Sequence, residues 1–133
     1  MMFNDLRDYI ATLEKLGELK HLSGASGDLE IGAVTELASF RETCPAVLFD
    51  TIQGFPKGYR ILTNFLSNRT RERLVFGIPN DLTDPEAVLL WKKRLKQFAP
   101  IEPIEVAGGA VKENVLLGSD VDVTRFPWPK WHL

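Results

Sequence analysis

The segment from Leu6 to Asp50, LRDYIATLEKLGELKHLSGASGDLEIGAVTELASFRETCPAVLFD, alternates between two hydrophobic periods, and the architecture follows from that alternation. Apolar residues recur from Phe3 through Leu6, Tyr9, Ile10, Leu13 and Leu16, the three-and-four spacing of one helical face, with Asn4 as the predicted cap and Gly17 as the stop. Leu19 to Leu22 then reads as a short strand and Gly24 to Gly27 as a loop. Asp28 is a natural N-cap for a second helix that presents Ile31, Val34, Leu37 and Ala38 inward and ends near Glu42, before Pro45. Ala46 to Phe49 is a continuous apolar run bounded by proline and Asp50, the pattern of a buried strand.

Downstream, Gly54 to Gly58 carries turn chemistry, and Ile61 to Leu66 reads as another strand. A charged third helix is predicted from Asn68 to Phe76, stopped by Gly77 and Pro79. The fourth helix has Thr83 or Asp84 as cap and Pro85 and Glu86 in its first turn; Val88, Trp91, Leu95 and Phe98 share one face. Ile101 to Val106 and Val111 to Leu117, separated by Gly108-Gly109, look like a strand pair. The expected fold is a single α/β (α+β) domain with a small mixed sheet packed with about four helices. It divides into a body, residues 1–117, and an extended Pro/Trp-rich segment, residues 118–133.

At 133 residues and 44% hydrophobic, the chain is long enough for one cored domain. A formal net charge of −2 gives no basic field for nucleic acid or an anionic membrane. The cluster from Trp91 to Lys96 reads as a solvated helix face, since Trp91 and Leu95 belong to the apolar stripe. One cysteine, no signal peptide and no continuous apolar span point to a soluble, cytoplasmic protein.

Catalytic chemistry is hard to find. His21 and His132 are far apart with no metal-ligand spacing, and Cys44 follows a predicted helix C-terminus, the wrong end of the dipole for an activated thiolate. The serines lack a nucleophile-elbow sequence. Gly24, Gly27 and Gly32 match neither a phosphate loop nor a dinucleotide fingerprint, and read as a flexible turn plus one helix glycine. Asp120 and Asp122 are too few for a cation site and read as turn caps or as partners of Arg125 or Lys130. No catalytic, cofactor-binding or metal-ligating residue is assigned.

The segment GSDVDVTRFPWPKWH, Gly118 to His132, concentrates what remains. Pro127 and Pro129 fix φ and push their predecessors toward extended geometry, so Phe126 to Trp131 forms a stiff, straight piece. Burial of Phe126, Trp128 and Trp131 is worth about 2 to 3 kcal/mol each. They therefore need a partner, either the body of the domain or another polypeptide. Phe126, Trp128, Trp131 and His132 are the candidate interface residues.

Taken in order, LRDYIATLEKLGELK (6–20), DLEIGAVTELA (28–38), PAVLFDTIQG (45–54), RILTNFL (60–66) and AVKENVLLGSDVDVTRFPWPKWH (110–132) resemble the N-terminal region of the UbiD family of reversible decarboxylases. The most specific elements are Val-Lys-Glu, Gly-x-Asp-Val-Asp and Phe-Pro-x-Pro-x-Trp-His. The resemblance implies decarboxylation or carboxylation of aromatic, heteroaromatic or α,β-unsaturated acids with prenylated FMN, manganese and potassium. In the family, the catalytic glutamates and arginine and the cofactor ligands reside in a central barrel domain that begins about where this sequence stops. The expectation is a non-catalytic N-terminal domain or small subunit, packing on a UbiD-type central and C-terminal catalytic polypeptide within a homo- or hetero-oligomer. The alternative is a stand-alone interaction module docking through its aromatic C-terminal edge.

Overall fold

A computed structural model describes residues 3–132. Four α-helices are formed, α1 (Leu6–Lys15), α2 (Glu30–Ser39), α3 (Arg69–Phe76) and α4 (Asp84–Gln97), with three strands, β1 (Leu19–Ala25), β2 (Ala46–Ile52) and β3 (Ile61–Thr63). Single 3₁₀ turns follow at Ala110–Lys112, Gly118–Asp120 and Val123–Arg125. The sheet order is β1-β2-β3. β1 and β2 are parallel, with α2 as the crossover that parallel pairing requires, and β3 returns antiparallel. The small mixed sheet is therefore as expected.

Central β2 shows the period of two that builds a layered core. Val47 and Phe49 pack with Ala25, Ile31, Ala38 and Ile52 under α2. Ala46 and Leu48 face the other way and pack with Tyr9, Leu13 and Leu19 under α1, joined by Leu74 of α3. Phe49, Ile31 and Leu13 are wholly removed from water.

Arg71 of α3 is the largest fully buried side chain among the described residues. Its guanidinium donates to Glu18 Oε2 at 2.6 Å, to the Asn64 carbonyl at 3.0 Å and to the Cys44 carbonyl, while Nε lacks a partner. Cys44 and Asn64 both have positive φ (37° and 53°), so two backbone positions that favour glycine are held where their carbonyls serve one buried cation. Cys44 is buried and structural.

Helix ends follow side-chain chemistry closely. Asn68 caps α3 by accepting from the Arg71 N–H at 2.9 Å, and Gly77 closes it in the left-handed region. At α4 the Glu86 carboxylate accepts from both the N–H and the hydroxyl of Thr83, which holds its pKa down. Asp5, rather than Asn4, caps α1 by accepting from the Arg7 and Asp8 N–H groups; Asn4 turns its amide to Asp8 instead. Gly17 follows α1 at φ 70°, as predicted.

Four expectations are corrected. α2 starts after Leu29 (φ 68°) without a side-chain cap, ends at Ser39 and leaves Leu37 exposed. The strand predicted over Ile61 to Leu66 stops at Thr63, because Asn64 turns into the left-handed region. The apolar face of α4 is largely open to solvent, with only Ala87 buried. Ile101 to Val106 and Val111 to Leu117 form no strands. Pro100 and Pro103 deny the first segment its ladder donors, and no neighbouring layer covers either.

Candidate functional site

Among the described residues, none after Ala87 is buried. Between Val88 and Trp131, seventeen large hydrophobic side chains are exposed, Ile101 at 93% and Val111 at 91% among them. Soluble surfaces carry isolated apolar residues without difficulty, whereas a density of this kind marks a contact surface.

The C-terminal segment is not free of the body. Its backbone crosses the start of α2 as a parallel bridge: the Lys130 N–H donates to the Gly27 carbonyl at 2.8 Å and the Leu29 N–H to the Lys130 carbonyl at 3.1 Å. The second bond supplies an acceptor to one of the donors that begin α2, so the tail does what a side-chain cap does elsewhere. Lys130 Nζ lies 3.8 Å from the Asp28 carboxylate, which occupies Asp28 outside the helix it was expected to cap.

Two glycines form the seat. A Cβ on Gly32 would stand 2.9 Å from the Trp131 carbonyl oxygen and 3.1 Å from its Cα, and one on Gly27 would touch the Trp128 carbonyl at 3.4 Å. Gly32 is a helix residue whose missing side chain makes room for another backbone. Sequence reasoning assigned these glycines no role. The available signal was a glycine inside an apolar helix, which costs about 1 kcal/mol relative to alanine and so asks for a reason.

The stiff segment presents its residues alternately. Pro127 and Pro129 are half-buried toward the body, while Phe126 (58%) and Trp128 (68%) face outward. Phe126 meets Tyr59 edge-on at 6.1 Å, and Trp128 Nε1 donates to the Val123 carbonyl at 2.7 Å. Trp131, with its backbone over Gly32, is 41% exposed, and His132 is exposed. The four candidate interface residues thus divide into an outward pair, Phe126 and Trp128, and a seated end, Trp131 and His132. Asp122 accepts from both the Thr124 hydroxyl and N–H, which lowers its pKa and makes it a turn cap.

His21 Nδ1 meets Asp50 at 2.7 Å and Nε2 meets Glu14 at 3.0 Å, and the Asp50 contact foremost raises its pKa. The two carboxylates lie on opposite sides of the ring and do not converge on a metal. Among the described residues no group of three metal-ligating side chains does. A groove between α3 and α4 is lined by Arg69 and Arg73, but both pair with Asp84, at 3.0 and 2.9 Å, leaving no free cation aimed at a phosphate. These residues do not fit prenylated FMN or a divalent ion, and no catalytic step is derived from them. No helix is long and apolar enough to cross a membrane, among the described residues.

A family profile described as the 3-octaprenyl-4-hydroxybenzoate carboxy-lyase N-terminal domain matches residues 10–88, ending where burial ends. The chain belongs to the UbiD family. It is 32% identical to a pyrrole-2-carboxylic acid decarboxylase of Pseudomonas aeruginosa, over 96% of this chain and 27% of the relative. It is 30% identical to a phenolic acid decarboxylase of Streptomyces sp. (strain D7), over 92% and 26%. The chain therefore spans about a quarter of the length of these relatives. Its fold matches about a quarter of the vanillic acid decarboxylase chain of Sedimentibacter hydroxybenzoicus. The closed form matches with TM-score 0.74 at 24% identity, over 92% of this chain and 26% of that one. An open form matches with TM-score 0.63, over 77% and 22%. The UbiD-type N-terminal fold, α/β with a three-stranded mixed sheet, is thereby established.

Proposed function

We propose that this chain is the non-catalytic N-terminal part of a UbiD-type carboxy-lyase, packing against the polypeptide that carries a prenylated-FMN barrel and helping to shape its cleft. The observation that carries the reading is the absence of any buried residue after Ala87, among those described, in a stretch with seventeen exposed large hydrophobics. Support also comes from the decarboxylase relatives and from the fraction of their length that the chain spans. The vanillic acid decarboxylase was solved with a truncated second component, ShVdcD, which supports an assembly of more than one polypeptide.

In this reading the body, residues 3–87, holds α2 rigid, the Gly27–Gly32 seat fixes the course of the tail, and Phe126 and Trp128 are the anchors offered to the partner. The substrates are aromatic, heteroaromatic or α,β-unsaturated carboxylic acids. The cofactor, held by the partner with manganese and potassium, supplies the electron sink that loss of carbon dioxide from an sp² carbon requires. The setting is cytoplasmic, supported by a single, buried cysteine.

The test is co-purification. The tagged chain is expected to draw a flavin-coloured polypeptide from extracts of its source, and the double variant Trp128→Ala, Trp131→Ala to lose it. Carbon dioxide release by the pure chain reconstituted with prenylated FMN would overturn the reading, and capture of only a colourless partner would favour a separate interaction module.

A further inference from the structure

One side of α4 is fastened to α3: Ala87 is buried between them, Trp91 meets the Phe76 ring edge-on at 5.0 Å, and the Arg94 guanidinium donates to the carbonyls of Phe76 (2.8 Å) and Gly77 (3.0 Å). The adjoining stripe, at helical spacing, consists of Val88, Leu95 and Phe98, exposed at 66%, 60% and 71%. Between the helices runs an open groove of about 690 Å³ whose apolar lining is Leu66, Phe76, Ile78, Ala87, Val88 and Trp91. Its charged lining is internally satisfied by the pairing of Arg69 and Arg73 with Asp84, apart from Glu72.

The outer flank is not satisfied. Lys92 and Lys96 follow Val88 by four and eight positions and lie beside the apolar stripe, with Lys93 further round, and no acidic residue occurs from Val88 to Ile101. None of the three lysines has an ion-pair partner among the described residues. An apolar stripe flanked on its outer side by uncompensated lysines selects for shape and charge together. α4 has 14 residues, about 21 Å of helix, or four turns of contact.

We infer that the exposed stripe of α4, at the edge of the α3–α4 groove, binds an amphipathic helix that lays its apolar face along Val88, Trp91 and Leu95 and sets an acidic flank against Lys92 and Lys96. This surface is separate from the aromatic tail: Leu74 of α3 belongs to the core cluster under α1, whereas the tail crosses α2 over the other cluster. Val88, Trp91 and Leu95 are nevertheless among the exposed side chains that carry the proposed function, so the inference rests on that reading and names the chemistry of what covers α4.

The experiment uses the full chain and two fluorescein-labelled helical peptides of four turns, alike in their leucine face, one flanked by glutamates and the other by lysines. Anisotropy titrations are expected to show the glutamate peptide binding about tenfold or more tightly than the lysine peptide at low salt. Val88→Asp and Leu95→Asp are expected to weaken it by a similar factor, while the double charge reversal Lys92→Glu, Lys96→Glu is expected to reverse the preference. Val88 and Leu95 are exposed, so these variants keep the fold, which circular dichroism verifies. Trp128→Ala leaves the affinity unchanged, separating this site from the tail. The inference is overturned if neither peptide binds or if both bind equally. It is equally overturned if single-stranded DNA binds through the lysines without need of Val88 and Leu95, or if Val88→Asp converts a dimer of the chain to a monomer without affecting peptide binding.

Discussion

Phe49 and Trp128 are both large aromatic residues on extended backbone, yet Phe49 is 0% exposed and Trp128 is 68% exposed. Phe49 lies on a central strand, with ladders on either side and α2 across its face. Trp128 belongs to a segment joined to the body near Lys130, with prolines turned inward and rings outward. The contrast extends to the two regions they represent, residues 3–87 and 88–132. In the first, the central apolar residues find covering layers within the chain; in the second none after Ala87 does, and they are displayed along α4 and a pinned tail. Apolar pattern states that a side chain will be covered, and topology states by what.

The sharpest way to break this contrast is to remove covered side chains from the first region and compare the loss with that of Trp128→Ala in the second. Phe49→Ala is expected to cost about 3 to 5 kcal/mol in urea denaturation, through lost burial and a cavity in the central layer. Arg71→Met should cost a comparable amount, about 3 to 5 kcal/mol, by leaving Glu18 without its guanidinium and the Cys44 and Asn64 carbonyls without a donor. A loss below about 1 kcal/mol for either would mean that the body is not the cooperative unit described.

Gly32→Ala addresses the junction between the regions. The added Cβ collides with the Trp131 backbone, while alanine favours α2 by about 1 kcal/mol, so the net stability change is small. The expected result is a tail lifted from its seat, seen as red-shifted tryptophan emission and faster trypsin cleavage after Arg125. Unchanged emission and cleavage would show that the seat does not hold the tail.

His21 gives a smaller effect confined to one pH window. Its folded-state pKa is raised above 6.5, so its contribution is fully present below about pH 6.5 and is lost as pH rises through the folded value. His21→Gln is expected to flatten the stability profile of the α1–sheet corner over that interval, measured by denaturation at fixed ionic strength. Smallest of all, Trp128→Ala should leave stability within about 0.5 kcal/mol of the parent while removing partner capture.

Much of the body was legible because its signals are local. Asn68 three residues before Arg71, Thr83 three before Glu86, the run Ala46 to Phe49 and the spacing of Tyr9 and Leu13 each name an element from nearby residues, and those elements are present. Misreadings occurred where the deciding group was distant in sequence. Asp28 looked like a cap, but the Lys130 carbonyl takes that role. Ile101 to Leu117 had a strand-like composition, but strands need a neighbouring edge, and it pairs with neither β1 nor β3, the two edges of the sheet.

The family and the ends of α3 and α4 were present in the sequence, because motif order and capping chemistry act within a few residues of backbone. The tertiary structure alone revealed that Gly27 and Gly32 are a seat, that Arg71 is a fully buried cation, and that α4 shows its apolar stripe to solvent. Each of these depends on which surfaces meet across distant parts of the chain, and contact energies of that kind leave no periodic trace in the residues that make them.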